Sequence, residues 1–166
     1  MTDDFLPLAG RIQQSLEDLD AIVYRADKLV DKYQTSLDDG YLDGVALNLH
    51  TFYSAIERIF EDIARTVEAG VPSGPDWHRD LLIQMSAEIT GIRPPVISRE
   101  TRLTLDEFRG FRHVVRNIYA FNLNADGVIE LAGKTHACLS SVRSDLEKFL
   151  DFLVRLDEVS NPELST

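Results

Sequence analysis

The sequence predicts an all-α protein, an up-and-down bundle of four principal helices plus one short helix. Apolar residues recur every three or four positions over long stretches, no segment alternates apolar and polar residues as a strand does, and turn residues cluster between the stretches. The chain has 166 residues, 44% of them apolar and 27% charged. That size and composition suit one folded domain over residues 1–160, followed by a polar tail over 161–166.

The first two helices are expected to be long. One apolar series runs from Phe5 to Tyr33 and ends at a turn cluster that contains Gly40, a residue type favoured at helix exits. A second series runs from Leu42 to Val67. At a rise of about 1.5 Å per residue, the two helices are similar in length and can lie side by side as an antiparallel hairpin.

The remaining helices are expected to differ in length. A short helix is predicted over residues 77–89, and the consecutive prolines of the segment 91–98 indicate a loop. Thr104 with a glutamate three residues later has the form of a capping box, so we expect a helix from there to about Phe121. The last apolar series predicts one long helix over residues 128–156.

The charge and the cysteine content of the chain exclude several classes of protein. The formal net charge of −11 argues against nucleic-acid binding by the surface as a whole. Residues 93–116 nevertheless hold six arginines against three acidic residues, a local charge of +3. Cys138 is the single cysteine, so an internal disulfide framework is excluded. Because the sequence shows neither a signal peptide nor an apolar window of membrane-spanning length, we expect a cytoplasmic protein.

Motifs for metals and cofactors are absent from the sequence. Its histidines and acidic residues lack the spacing of zinc or di-iron ligands, and no glycine-rich phosphate loop or nucleophile elbow occurs. We therefore expect no metal and no cofactor. Glu57 and Glu61 share a helix face that we expect to be solvated or paired with arginine. His50, His78 and His136 are expected to be surface or satisfied core residues.

The segment 108–121 concentrates the residues that could carry chemistry. On a helix its apolar residues fall on one face, and the polar residues point away from it. Arg112 and Tyr119 lie at the border between the two faces. The polar face carries Arg109, His113, Arg116 and Asn117.

A family resemblance begins at Arg112 and ends at Tyr119. This octet resembles the active-site helix of HEPN-domain ribonucleases, particularly the HepT-like toxins, whose pattern is an arginine, four residues, a histidine, one residue and a tyrosine. Arg112 and Tyr119 match that pattern, whereas Asn117 stands where the family has its catalytic histidine. Residues 49–64 resemble the second helix of the same proteins, and helix order agrees over roughly residues 5–157.

The resemblance implies a homodimer whose two motif helices form a composite, metal-independent RNA-cleaving site. It also implies a partner, a minimal nucleotidyltransferase antitoxin that adenylylates the motif tyrosine, here Tyr119. In such a site Arg112 would stabilise negative charge on the phosphate through paired hydrogen bonds. The implied catalytic set is Arg112, Asn117 and Tyr119, and the implied RNA-binding set is Arg109, His113 and Arg116.

Asn117 leaves three interpretations open, because its amide does not exchange protons at neutral pH. The chain is a weakened or non-catalytic family member, an inactivated form of a toxin, or a protein in which His113 has taken over proton transfer. An alternative function is a non-catalytic HEPN helical module that binds a nucleotidyltransferase partner or a nucleotide.

Overall fold

The chain folds as a helical bundle. The computed structural model describes residues 5–68, 70–117, 123–160 and 162, except the side chains of His113, Val114, Arg116 and Asn117. Within these residues six helices form: α1 (Phe5–Ser36), α2 (Asp39–Val67), α3 (Trp77–Met85), α4 (Arg99–Asn117), α5 (Ala125–Ala132) and α6 (Thr135–Ser160). The described part has no strand, only an isolated bridge between Ile89 and Arg93. The all-α prediction is confirmed.

The first two helices form the antiparallel hairpin. Arg11, near the start of α1, donates two hydrogen bonds of 2.7 and 3.0 Å to Asp62, near the end of α2. At the other end of the hairpin, Gly44 lies so close to Leu29 that an added Cβ would be 3.1 Å from the leucine Cδ1. A side chain at position 44 would therefore have to displace Leu29.

The turn between α1 and α2 lies at the predicted cluster, but its glycine has another role. Leu37, with φ of 56°, ends α1 in the left-handed region, and its backbone N–H donates to the Tyr33 carbonyl at 2.7 Å. Asp38 then caps α2, since its side chain accepts a hydrogen bond from the Gly40 N–H at 2.8 Å. The predicted cluster therefore does end α1, but Gly40 lies in the first turn of α2, and Leu37 is the residue with positive φ.

The start of α4 also differs. The helix begins at Arg99, five residues before the predicted start at Thr104. Ser98 provides the cap, because its hydroxyl accepts a hydrogen bond from the Thr101 N–H at 3.1 Å. Asp145 of α6 accepts from the Ser98 N–H at 2.9 Å and from the Thr101 hydroxyl at 2.6 Å. These bonds tie the N-terminus of α4 to α6.

Two further boundaries were placed wrongly. The short helix α3 ends at Met85 rather than at residue 89, because the Met85 carbonyl accepts hydrogen bonds from the backbone of Val96 and Ile97 at 2.8 and 3.2 Å. The predicted final helix is divided into α5 and α6 around Gly133. Both pieces bury their apolar residues in the same core, so the apolar period continues across the break.

The core draws on all six helices, and an aromatic contact joins α2 to α4. The rings of Phe52 and Phe108 are both almost completely buried, and their centroids are 5.1 Å apart. This contact fixes the position of α4 along α2, next to the place where Glu57 and Arg112 meet.

No described helix combines the length and apolar character that crossing a bilayer requires. The division into a domain over 1–160 and a tail stays a prediction.

Candidate functional site

Arg112 is directed inwards by its position on α4. It follows the buried Phe108 by one helical turn, so both residues lie on the side of α4 that faces α2. The Arg112 side chain is 13% exposed, and its Nη1 donates a hydrogen bond of 3.0 Å to Oε1 of Glu57. The motif arginine is therefore held by a buried carboxylate.

Glu57 bridges two partners. Its second oxygen, Oε2, lies 2.8 Å from Nδ1 of His78, which α3 supplies. The Glu57 side chain is only 5% exposed and pairs with Arg112, so of the two predicted environments, solvated or arginine-paired, the structure shows the second. The His78 ring packs against the Trp77 ring, with centroids 3.6 Å apart.

Tyr53 adds a fourth member to this group. It lies one turn before Glu57 on α2, is buried, and its phenol is close enough to the Glu57 carboxylate to interact with it. Burial, and then the negative charge of Glu57, raise the pKa of Tyr53 far above its ordinary value, while Arg109 and Arg112 act in the opposite direction. Tyr53 therefore remains a neutral donor. We call Tyr53, Glu57, His78 and Arg112 the Glu57 cluster.

The guanidinium of Arg112 has capacity left for another ligand. Its contacts with the described residues all involve Nη1. The Nε atom is buried and has no hydrogen-bond partner within the described part of the chain. Since an unpaired buried donor is costly, an anion that reached this edge of Arg112 would be stabilised there.

The other predicted site residues are only partly described. Arg109 donates from Nε to the Asp106 carboxylate at 2.7 Å, one turn back on the same helix, and is 27% exposed. The backbone of residues 113, 116 and 117 belongs to α4, but their side chains lie outside the described structure. Tyr119 lies wholly outside the described residues. Arg112 is thus brought together with three residues that the sequence did not assign to the site.

The sequence contains a signal that Glu57 belongs to a buried polar site, but it contains no such signal for His78. Glu57 lies within an apolar stripe, one residue after Ile56 and three before Phe60, and both neighbours are buried. A charged residue in a stripe of this kind indicates a buried polar site. His78 has no such signal, because only the packing of α3 against α4 brings it to Arg112.

The arginine-rich segment is not one basic patch. Arg93 is buried, pairs with the buried Glu68 and donates to the carbonyls of Gln84, Ala87 and Pro94 at 2.8–3.0 Å. It closes the loop between α3 and α4 and is a structural residue. Arg93, Arg109 and Arg112 each pair with a carboxylate.

The described part of the chain offers neither a cluster of metal ligands nor a reactive thiol. It contains no group of three or more histidine, cysteine or carboxylate side chains able to hold a metal ion. Cys138 is buried, and burial raises the pKa of its thiol to about 12, so the thiolate that nucleophilic attack requires is scarce.

Residues 44–153 match the model of a protein family described as HepT-like protein. This is more than half of the chain. The chain belongs to the HepT-like family. The matched range includes the whole Glu57 cluster, and the resemblance found in the sequence is confirmed. Membership supports a HEPN-type toxin module in general terms. Comparisons with curated proteins and with solved structures gave no match.

Proposed function

We propose that this HepT-like protein is a metal-independent endoribonuclease toxin of a toxin–antitoxin pair. It acts as a homodimer and is neutralised when a minimal nucleotidyltransferase adenylylates Tyr119. The observation that carries the proposal is the placement of Arg112, the motif arginine, against Glu57 and His78 with Nε left without a described partner. Family membership supports the toxin class.

The reaction needs no metal. The ribose 2′-hydroxyl attacks the adjacent phosphorus, the bond from phosphorus to the 5′ oxygen breaks, and a cyclic phosphate remains. A fixed cation stabilises the charge that develops on the phosphate oxygens. Arg112 suits this role because the Glu57 carboxylate already fixes one of its nitrogens, so little reorganisation is needed when the phosphate binds. Arg109, His113 and Arg116 would contact the RNA backbone.

Asn117 limits the rate in this scheme. General acid–base catalysis contributes about 10²–10⁴-fold to a rate, and an amide supplies none of it. Asn117→His should therefore increase RNA cleavage by at least about 10²-fold, in the presence of a chelator. The matched control is Asn117→Gln, which alters size without adding a titrating group. Cleavage of an RNA panel is followed with protein shown to be dimeric and free of AMP.

A second comparison tests the arginine. Arg112→Ala should abolish cleavage in the Asn117→His background, and Arg112→Lys should recover only part of it, because lysine lacks the paired donors of a guanidinium. The proposal fails if the Asn117→His protein, folded and dimeric, cuts no RNA of the panel.

A non-catalytic module is the second candidate. Two observations favour it: Asn117 replaces the catalytic histidine, and the charge of Arg112 is already balanced by Glu57. Such a module would bind a nucleotidyltransferase partner or a nucleotide. Incubation with the partner and ATP, followed by intact mass measurement, should show one added AMP that Tyr119→Phe removes. AMP transfer without any RNA cleavage by the Asn117→His protein would favour the module.

A further inference from the structure

We propose that His78 performs the proton transfer that Asn117 cannot, with Glu57 as the residue that positions its ring. The inference rests on the proposed RNA cleavage and names a further residue for it. Its basis is geometric: Glu57 Oε1 contacts Arg112, and Oε2 contacts His78. One carboxylate therefore positions both a phosphate-binding cation and an imidazole.

The tautomer of His78 follows from the two partners of Nδ1, one an acceptor and the other a donor. Nδ1 lies 2.8 Å from Glu57 Oε2 and also 2.8 Å from Arg112 Nη1. It can donate to the first or accept from the second, but one nitrogen cannot do both. A charged carboxylate oxygen is the stronger partner, so Nδ1 carries the proton and donates it to Glu57. Nε2 then keeps a lone pair.

The contact with Arg112 does not occupy that lone pair. Arg112 Nη1 lies 2.8 Å from Nδ1 and 3.3 Å from Nε2 of the same His78 ring. An atom this close to both nitrogens lies over the ring face and is not aligned with either lone pair. Among the described residues, Nε2 has no contact other than the one with Arg112, so no hydrogen bond uses its lone pair there.

His78 also has the most exposed side chain of the Glu57 cluster. Its side chain is 25% exposed, against 13% for Arg112 and 5% for Glu57. A phosphate bound to the Arg112 guanidinium would bring its neighbouring ribose close to this imidazole, because Arg112 and His78 are in contact. The ring itself is held between Trp77 and the guanidinium.

The proton balance is simple. Nε2 takes the proton of the 2′-hydroxyl as the 2′ oxygen bonds to phosphorus, and the departing 5′ oxygen takes a proton from solvent. His78 then returns its proton to solvent. Glu57 and Arg112 contact His78 directly, Tyr53 lies beside Glu57, and the charge of Arg109 acts on Tyr53 from α4. The carboxylate orients the ring and stabilises the imidazolium, as the aspartate of a serine-protease triad does for its histidine.

Cleavage by matched variants tests the inference. His78→Gln keeps a side-chain donor for Glu57 but cannot titrate. It should lower the weak cleavage by the unsubstituted protein about 10²-fold and remove the acidic limb of the pH–rate profile. The control is His136→Gln, at an exposed histidine that pairs with Asp27 of α1, which should leave both unchanged. In the Asn117→His background, His78→Gln should leave most of the cleavage in place, because the new imidazole supplies the proton transfer.

An independent measurement uses no RNA. A long-range ¹H–¹⁵N spectrum of the histidine rings should show that neutral His78 is protonated at Nδ1, and that Glu57→Gln redistributes this proton. A proton on Nε2 would overturn the inference whatever the cleavage results.

The cleavage results separate two kinds of failure. If neither the unsubstituted protein nor the Asn117→His protein cleaves RNA, the proposed function fails, and this inference fails with it. If the Asn117→His protein cleaves and the unsubstituted protein does not, or if His78→Gln leaves the pH–rate profile unchanged, only the inference about His78 is wrong.

Discussion

Phe52 and Phe108 pack with ring centroids 5.1 Å apart, and this contact sets the register in which α4 meets α2. Glu57 follows Phe52 by five residues, and Arg112 follows Phe108 by four. Arg112 therefore lies one turn beyond Phe108 on the same side of α4, whereas Glu57 lies roughly 140° around α2 from Phe52. The buried aromatic pair fixes how α4 lies against α2, and the hydrogen bond between Glu57 and Arg112 forms beside it.

The aromatic contact predicts a stability effect. Phe108→Ala should lower the free energy of unfolding by about 3–5 kcal/mol, since it removes a fully buried ring and leaves a cavity. Leu103→Ala, on the same helix and 55% exposed, is the matched control and should change it by less than about 0.5 kcal/mol. Urea unfolding followed by circular dichroism measures both. Equal effects of the two substitutions would contradict the packing described for α4.

The Glu57–Arg112 pair predicts a measurable coupling. A double-mutant cycle with Glu57→Gln and Arg112→Gln should give a coupling energy of about 0.5–3 kcal/mol, because both groups are largely buried and touch each other. Asp106 and Arg109 form the control pair on the surface of α4, for which about 0.2–1 kcal/mol is expected. Additive effects of the Glu57 and Arg112 substitutions would show that their contact contributes nothing to the folded state.

Tyr53 predicts a loss of stability at alkaline pH. Its pKa is raised in the folded state, so the folded chain keeps this proton at pH values where the unfolded chain has released it. The contribution is fully present below about pH 10, the ordinary tyrosine pKa, and falls by up to about 1.4 kcal/mol per pH unit above it. Tyr53→Phe should remove this part of the slope. Unfolding is measured from about pH 9 to 11, and Tyr24→Phe, at an exposed tyrosine, is the control substitution.

Asp145 predicts an effect on the start of α4. Asp145→Ala should destabilise the protein by about 1–3 kcal/mol, because the Ser98 N–H and the Thr101 hydroxyl lose their acceptor. Asp151→Ala, at an exposed position of α6, is the control. Hydrogen exchange at the first turn of α4 should accelerate in the first variant alone. Unchanged protection there would mean that α6 does not anchor α4.

The sequence alone was enough to predict the helices that bury a long apolar stripe. The α1–α2 hairpin followed from periodicity. The start of α4 was misplaced because Thr104 fits a local capping pattern, whereas Ser98 gains its advantage from Asp145, which is 47 residues away. The break near Gly133 was missed because the apolar period does not change there.

The site was predictable only in part. Arg112 stood out through local spacing, and Glu57 had a readable signal, a charge within an apolar stripe. His78 did not, because its contact with Arg112 joins residues 34 positions apart on two helices. Contacts of that kind depend on how the elements pack, which a single sequence does not encode in any local pattern.

The bridging carboxylate of Glu57 also limits which substitutions can be accepted at these positions during evolution. It serves side chains from three helices, Tyr53 on α2, His78 on α3 and Arg112 on α4, so one codon change there disturbs three partners at once. Lineages could exchange this set only through intermediates with an unpaired buried group. These four positions should therefore vary together among relatives and seldom one at a time.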